Sequence, residues 1–250
     1  MTTSPRTSPS TPPTAPAVSR RRAVLTLTAA ASLAAGVPAA RATTLTSPTP
    51  SPSGRTRAEK PPTAARALAE LRAGNARFAA LRQLHPHEDA ARRAAVAVSQ
   101  HPFALILGCV DSRVPPELVF DQGLGDLLAI RSAGQVLDEA VLGSIQFGVT
   151  ELGVPLVVVL GHERCGAATA AVEFVRTGKP AEGHLARLVE EIAPAARETR
   201  ALPGDWVENT VRANVARIRR RLARDEAFDR ALIVGARFDL DTGKVAFHPS

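Results

Sequence analysis

Two kinds of hydrophobic pattern alternate along the chain. Short, fully apolar runs at residues 103–108 and 155–160 are rich in Leu, Ile and Val and are bounded by glycine, a composition typical of buried parallel strands. Further strands are predicted at 127–130 and 232–235, and an edge strand at 244–248 follows an Asp-Thr-Gly turn. The longer segments between these runs carry apolar residues at helical spacing.

These longer segments predict helices that separate the strands. The first helix is expected to begin near Thr63, and its apolar stripe consists of Leu68, Leu71, Phe78 and Leu81. Asp205, followed three residues later by Glu208, resembles a capping box at the start of another helix. Further helices are predicted at 88–100, after Pro115-Pro116, at 138–152, from near Cys165, at 184–200 and at 206–224. Strands that alternate with helices predict an α/β fold with a mainly parallel central β-sheet flanked by helices.

The first 42 residues have the composition of a targeting peptide. Arg21 and Arg22 precede an apolar stretch at 23–40, and Ala-Arg-Ala at 40–42 matches a cleavage site. We therefore predict a twin-arginine signal peptide over residues 1–42 and export to an extracytoplasmic location. An uncleaved membrane anchor is the alternative. It is disfavoured because the stretch is rich in Ala and Thr, whereas a span needs ~20 strongly apolar residues.

The segment 43–62 is rich in Ser, Thr and Pro and predicts a disordered linker, which leaves 63–250 as one globular domain. The whole chain has a formal net charge of +7, but residues 1–42 hold five arginines and no acidic residue. Without them, 26 basic side chains face 24 acidic ones, a balance of +2. The charge therefore argues against a nucleic-acid partner, and we interpret the basic cluster at 217–224 as the solvent face of a helix.

Two short motifs contain the only two cysteines of the chain. Cys109-Val-Asp-Ser-Arg113 follows the strand at 103–108, and His162-Glu-Arg-Cys165-Gly follows the strand at 155–160. Because open α/β sheets place their sites at the carboxyl ends of the strands, these groups should meet at one edge of the sheet. Two cysteines and one histidine leave a fourth zinc position open, which is the catalytic pattern. A disulfide between the two cysteines is the alternative in an exported protein.

Together the motifs resemble those of the β-class carbonic anhydrases, which carry C-x-D-S-R and a downstream H-x-x-C-G. The similarity extends to Gly74-Asn-Ala-Arg-Phe78, to Gln100 and to Arg131-Ser-Ala-Gly134. It runs from about Thr63 to the C-terminus. The combined motif is specific, whereas either half alone would be a weak signal.

The resemblance implies one zinc ion per subunit, held by Cys109, His162 and Cys165. A zinc-bound hydroxide would then hydrate CO₂ reversibly to bicarbonate and a proton. The family fold also implies a homodimer or a higher homo-oligomer, in which the N-terminal helices pack on the partner subunit.

The resemblance implies roles for four further residues. Asp111, gripped by the planar guanidinium of Arg113, would accept a hydrogen bond from the zinc-bound water. A structural ion pair or an Asx turn is the alternative for these two residues. Gly166 would lie beside the substrate, and Gln100 would donate a hydrogen bond to a substrate oxygen at the neighbouring subunit's site. A turn glycine and an exposed polar side chain are the respective alternatives.

Some family members bind bicarbonate at a second, inhibitory site built from Trp, Arg and Tyr side chains. This chain has Arg131 at the matching position, but it has Ile106 where that subgroup has Trp, and it contains no Tyr. Because isoleucine forms no hydrogen bond to an anion, we predict an enzyme of the uninhibited type.

Two other functions remain open. Relatives with the same zinc ligands hydrolyse carbonyl sulfide or carbon disulfide, and the motif does not separate that activity from CO₂ hydration. A non-catalytic zinc-binding or thiol-redox protein is a different class. The Asp111–Arg113 pair and the absence of a C-x-x-C sequence argue against it.

Overall fold

The computed structural model describes residues 63–248. The signal peptide predicted at 1–42 and the linker predicted at 43–62 lie outside the described residues and stay predictions. Within the described part of the chain, no helix is long and apolar enough to cross a membrane.

The chain folds around a five-stranded sheet, as the apolar runs predict. Its strands are β1 (Ala104–Gly108), β2 (Leu127–Arg131), β3 (Leu156–His162), β4 (Leu232–Phe238) and β5 (Val245–His248). The order across the sheet is β2-β1-β3-β4-β5, and only β5 runs antiparallel to its neighbour. The central strands β1 and β3 are buried along their whole length, which explains their continuous apolar sequences.

Helices connect and flank the strands. The α-helices are α1 (Ala64–Ala79), α2 (Ala90–Val96), α3 (Pro116–Val119), α4 (Glu139–Gln146), α5 (Gly166–Thr177), α6 (Leu185–Thr199) and α7 (Trp206–Leu222). A 3₁₀ turn covers Ala133–Gln135, and a π-helical turn at Phe147–Glu151 continues α4. Asp205 caps α7 through hydrogen bonds from the N–H groups of Val207 and Glu208, as the sequence predicts.

Alternate side chains of the central strands point to opposite faces of the sheet, and both faces are covered. On one face, Ile106 and Val158 pack in a core with Leu71 of α1. On the other face, Leu105 and Val157 pack in a core that the helices α4 and α7 also line. The mainly parallel, helix-flanked α/β fold predicted from the sequence is confirmed.

Gly74 and Asn75 join the first helix to the rest of the domain. A Cβ atom on Gly74 would lie 1.8 Å from the carbonyl oxygen of Phe120, so only glycine permits this approach. The buried Asn75 amide donates hydrogen bonds to the carbonyls of Val119 and Gly243. This part of the predicted family motif therefore has a packing role.

Several predicted element boundaries were wrong. Strand β3 includes His162 instead of ending at residue 160, because it stays paired with β4 up to that residue. The second helix ends at Val96 rather than at residue 100, which leaves Gln100 in an exposed connection. The first helix ends at Ala79, so Leu81 is not part of its buried stripe: it has a positive φ of 54° and is 84% exposed. Strand β4 extends three residues beyond 235, because pairing with β3 continues to His162 and Phe238.

Candidate metal centre

The three predicted ligands meet at the carboxyl ends of two neighbouring strands. Cys109 directly follows β1, His162 is the last residue of β3, and Cys165 is the N-cap of α5. Because β1 and β3 are adjacent and parallel, their ends bring both motifs together. The two Sγ atoms and a His162 ring nitrogen lie within 4.8 Å of one another, and all three residues are buried.

The hydrogen bonds of His162 leave one ring nitrogen free for a metal. Its Nδ1 lies 2.9 Å from the carbonyl oxygen of Glu163. Because a carbonyl only accepts hydrogen bonds, Nδ1 carries the proton and Nε2 presents a lone pair. That Nε2 atom is buried and has no hydrogen-bond partner among the described residues. An orphaned acceptor beside two thiols fits a metal ligand.

Cys109 and Cys165 are free and buried, and they form no disulfide in the structure. The Cys165 thiol beside Cys109 lowers the pKa of Cys109 to about 4, and the Cys109 sulfur in turn raises the pKa of Cys165. The backbone N–H of Gly134 lies 3.4 Å from Cys109 Sγ and further stabilises the thiolate. Two sulfurs and an imidazole are the donors that zinc prefers, and three protein ligands leave one position open.

Asp111 and Arg113 form the predicted pair at the edge of this cluster. Arg113 Nε and Nη2 donate to the two carboxylate oxygens at 2.9 and 2.7 Å, and its backbone N–H donates to Oδ1 at 3.0 Å. These hydrogen bonds hold the pKa of Asp111 well below its usual range. The backbone bond is an Asx turn, so the turn and the ion pair occur together. Asp111 Oδ2 lies 3.8 Å from His162 Nε2, which places the carboxylate beside the open side of the cluster.

Arginines tie the two motif loops to each other and to the sheet. Arg113 also donates to the carbonyl of Arg164, at 3.4 Å. Arg131, at the end of β2, donates from Nε to the Cys109 carbonyl at 2.8 Å and from Nη2 to the Asp111 carbonyl at 2.7 Å. From the sequence, Arg131 stood out only as part of the family-like segment 131–134 and at the position of an inhibitory site. The structure shows that it holds the backbone of the first motif.

Two residues that support Cys109 come from distant segments. Gly134, whose N–H faces Cys109 Sγ, has a φ of 63°, and a Cβ there would lie 2.4 Å from Ile192 Cδ1. Asn214 of α7 donates to the Gly134 carbonyl at 2.8 Å and is buried. In the sequence, Gly134 stands out only as part of the family resemblance, and Asn214 does not stand out at all. No local pattern marks Asn214, because its partner lies 80 residues away.

The two predicted substrate residues differ in their placement. Gly166 is the first residue of α5, is exposed, and has no atom within 4 Å of the position where a Cβ would stand. It therefore borders open space directly beside the ligand Cys165. Gln100 lies in the exposed connection before β1, and its predicted role at a neighbouring subunit's site stays a prediction.

Comparisons with known proteins show the family of the chain. A sequence model of the carbonic anhydrase family matches residues 104–245. The chain is 41% identical over 184 residues to carbonic anhydrase 2 of Mycobacterium tuberculosis, covering 70% of this chain and 87% of the relative. It is also 41% identical over 182 residues to a carbonic anhydrase of Mycolicibacterium smegmatis, covering 70% and 88%. The chain therefore belongs to the carbonic anhydrase family.

Solved structures agree with the β class. A tetrameric β-carbonic anhydrase of Sordaria macrospora superposes with a TM-score of 0.57 at 23% identity, over 62% of this chain and 84% of that one. A β-carbonic anhydrase of Aspergillus fumigatus superposes with a TM-score of 0.53 at 23% identity, over 74% and 89%. At this level of identity the two structures show the shared fold.

Proposed function

We propose that this carbonic anhydrase is a zinc enzyme that hydrates CO₂ reversibly to bicarbonate and a proton. One observation carries the proposal: the buried cluster of Cys109, His162 and Cys165 presents a free imidazole nitrogen beside an arginine-held carboxylate. Zinc would be held by the two thiolates and by Nε2 of His162. When bound, it lowers the pKa of a water at its open position to about 7 and so supplies a nucleophile near neutral pH.

Asp111 would orient this nucleophile and receive its hydrogen bond. Oδ1 already accepts two hydrogen bonds from Arg113, whereas Oδ2 accepts only one, keeps a second lone pair and lies on the His162 side. The bidentate grip holds the carboxylate in one orientation and restrains it from moving onto the metal as a fourth ligand. Arg113 therefore acts on the reaction through Asp111.

The entrance to the site would lie at the start of α5. Gly166 leaves open space next to Cys165, so a small linear substrate such as CO₂ can approach the cluster closely. Carbonyl sulfide and carbon disulfide have the same linear shape, so the assay must include them.

The experiment combines metal analysis with kinetics on the purified chain. We expect one zinc per subunit and CO₂ hydration in a stopped-flow assay, and Cys165→Ser and His162→Ala should lose both. The matched control is His101→Ala, because His101 is an exposed histidine outside the cluster. Full activity in metal-free protein would falsify the zinc mechanism. Zinc-loaded protein that hydrolyses only carbonyl sulfide or carbon disulfide would establish the alternative reaction, and zinc without any turnover would establish a binding protein.

We also propose that the chain forms a homodimer or a higher homo-oligomer. Strand β2 stands at one end of the sheet, and with α4 it lines an open apolar groove, named here the β2–α4 groove; its residues include Leu128, Ile130 and Phe147. Phe147 is 50% exposed. An apolar edge of this kind is suited to a second copy of the chain. Packing of the N-terminal helices on that partner is part of the same proposal.

The location of the protein is likewise a proposal. The pair Arg21-Arg22 and the cleavage sequence at 40–42 support export by the twin-arginine route. That route carries folded proteins, so zinc could be loaded before export.

A further inference from the structure

A largely buried arginine on β4 lies among three carboxylates next to the metal cluster. Arg237 is only 13% exposed. Its Nη1 donates to Asp239 at 2.7 Å, its Nε lies 2.9 Å from Glu208 Oε1, and its Nη2 lies 3.2 Å from Glu163 Oε1. Burial alone would lower the pKa of Arg237, but its hydrogen bonds to Asp239 and Glu208 outweigh burial and raise it. The side chain is therefore a fixed positive charge among three acids.

One of these acids, Glu163, stands between two of the metal ligands in the chain. Its backbone N–H donates to the Phe238 carbonyl at 3.0 Å, and its Oε2 accepts from the backbone N–H of Leu240 at 3.1 Å. Its Oε1 faces Arg237 at 3.2 Å. Glu163 is thus held at its backbone and at both carboxylate oxygens by the segment that ends β4.

The carbonyl of Glu163 accepts the proton of His162 Nδ1. We propose that Arg237 is a positioning residue for the metal centre: by pairing with Glu163 it holds the carbonyl that fixes the tautomer and orientation of the His162 ring. The Nε2 lone pair then stays directed at the cluster. This inference rests on the proposed zinc function and adds a residue 75 positions from His162 that touches neither ligand nor substrate.

Other nearby cations are already engaged and would not replace Arg237. Arg164 makes a bidentate pair with Asp241 at 2.7 and 2.9 Å and approaches Glu163 only at 3.6 Å. Arg212 contacts Glu208 at 2.7 Å. Without Arg237, the carboxylates of Glu163 and Asp239 would lose their nearest cation, and Arg212 would remain only on Glu208. Like charges at this range repel, so we expect Glu163 to turn toward solvent and release the peptide that holds His162.

The acidic cluster itself is not a second metal site. Oxygens of Glu163, Asp239 and Asp241 lie within 4.8 Å of one another, as a cation site would require. However, each of these three carboxylates is already paired with an arginine, Arg237 or Arg164. The cluster is therefore best explained as the anchor of the loop that carries the metal ligands.

The experiment measures how firmly the metal is held. Arg237→Met and Glu163→Gln are compared with the matched control Arg212→Met, which also removes an arginine from Glu208 but leaves Glu163 untouched. Each variant is assayed for zinc release to a chelating dye and for the absorption bands of the cobalt(II)-substituted protein. We expect zinc release to accelerate about 10- to 100-fold in the first two variants, with altered cobalt bands. Arg212→Met should match the wild type in both.

The double variant separates positioning from general loss of stability. If Arg237 acts through Glu163, then Arg237→Met/Glu163→Gln should release zinc no faster than the more affected single variant. The inference would be overturned if zinc release in the double variant accelerated by the product of the two single-variant fold-changes. Wild-type zinc release and wild-type cobalt bands in Arg237→Met would overturn it as well. If Arg237→Met does not fold, zinc release in Glu163→Gln alone tests the inference. Arg237 keeps its ion pairs with Glu208 and Asp239 in that variant. Wild-type protein that binds no zinc would instead refute the proposed function.

Discussion

At the scale of single residues, the chemistry of the site depends on which atoms are already hydrogen-bonded. His162 has its Nδ1 proton committed to the Glu163 carbonyl and its Nε2 free. Asp111 has both oxygens held by Arg113. A histidine ring with a fixed tautomer presents its Nε2 lone pair in one direction. A carboxylate held at both oxygens likewise accepts a further hydrogen bond from one direction. Both groups are therefore oriented before substrate arrives, which is how preorganised sites lower a barrier.

Asp111→Asn tests the orienting role of the carboxylate. Asparagine keeps the size but removes the charge and puts a donor in place of one acceptor. We expect zinc to stay bound and CO₂ hydration to fall on the order of 10²–10⁴-fold. Glu173→Gln is the matched control, because the Glu173 carboxylate also accepts two hydrogen bonds from an arginine, Arg176, but is exposed on α5 outside the cluster. A variant with normal zinc content and wild-type rates would show that Asp111 is only structural.

The pH dependence of activity follows from the lowered pKa of Asp111. Hydrogen bonds from Arg113 hold this pKa below the value of about 3.9 expected for an unfolded Asp. The free energy by which the Asp111–Arg113 pair stabilises the fold is therefore fully present above pH ~4. It is lost only as the pH falls through the lowered pKa that Asp111 has in the folded state.

Between about pH 6 and pH 9, Asp111 should therefore stay ionised and activity should rise with a single ionisation near pKa 7. The uninhibited type stays a prediction; in the structure Ile106 is buried in the core, and Arg131 donates to the Cys109 and Asp111 carbonyls. The measurement is kcat/KM against pH. A steep, cooperative loss of activity below neutrality would contradict this expectation.

At the scale of elements, three separate segments converge on Cys109. Strand β1 delivers the thiol, the 3₁₀ turn delivers the Gly134 N–H, and α7 holds the Gly134 carbonyl through Asn214. The positive φ of Gly134 and its contact with Ile192 require glycine there. The helix α7 therefore contributes to the metal centre although it supplies no ligand.

Asn214→Ala tests this contribution. It leaves the buried Gly134 carbonyl without its partner, which should cost about 1–3 kcal/mol of unfolding free energy. We also expect weaker zinc binding, because the peptide that donates to Cys109 loses its anchor. Asn209→Ala is the matched control, because Asn209 lies on the same helix but is only half-buried and donates to the Pro203 carbonyl, away from Gly134. Urea unfolding and zinc titration measure both effects, and equal results for the two variants would contradict the role assigned to Asn214.

At the scale of the whole molecule, the β2–α4 groove is the feature that a single chain leaves open. Phe147→Asp places a charge in that groove and should weaken self-association at least about tenfold. Leu202→Asp, which alters another exposed leucine in a turn, is the control. Light scattering against protein concentration measures the change. Unchanged assembly in Phe147→Asp would place the interface elsewhere.

Export is the second property of the whole chain that can be tested. Replacing Arg21 and Arg22 by Lys should leave the precursor in the cytoplasm, whereas the wild-type chain should be exported and begin at Thr43. Cell fractionation and N-terminal sequencing measure both. Exported protein that retains residues 1–42 would refute cleavage, and export of the Lys variant would refute the twin-arginine route.

The sequence by itself determined the sheet and the candidate ligand set. Strands β1 and β3 are buried on both faces, so their apolar runs carry the signal without reference to any other segment. Cys109, His162 and Cys165 are local to the ends of these strands, and parallel neighbours necessarily bring those ends together. Asp111 and Arg113 stand two positions apart, so this pair was equally visible in the sequence.

Only the tertiary structure decided what supports those ligands and where the helices end. Asn214 meets Gly134 across 80 residues, and Arg237 meets Glu163 across 74, so neither pairing leaves a local pattern. Arg237 even lies beyond the predicted end of β4, because that strand is prolonged by pairing with β3 rather than by its own composition. The second helix ends early because nothing buries its residues. Local sequence motifs therefore identify the candidate ligands, whereas long-range packing determines the orientation of their side chains.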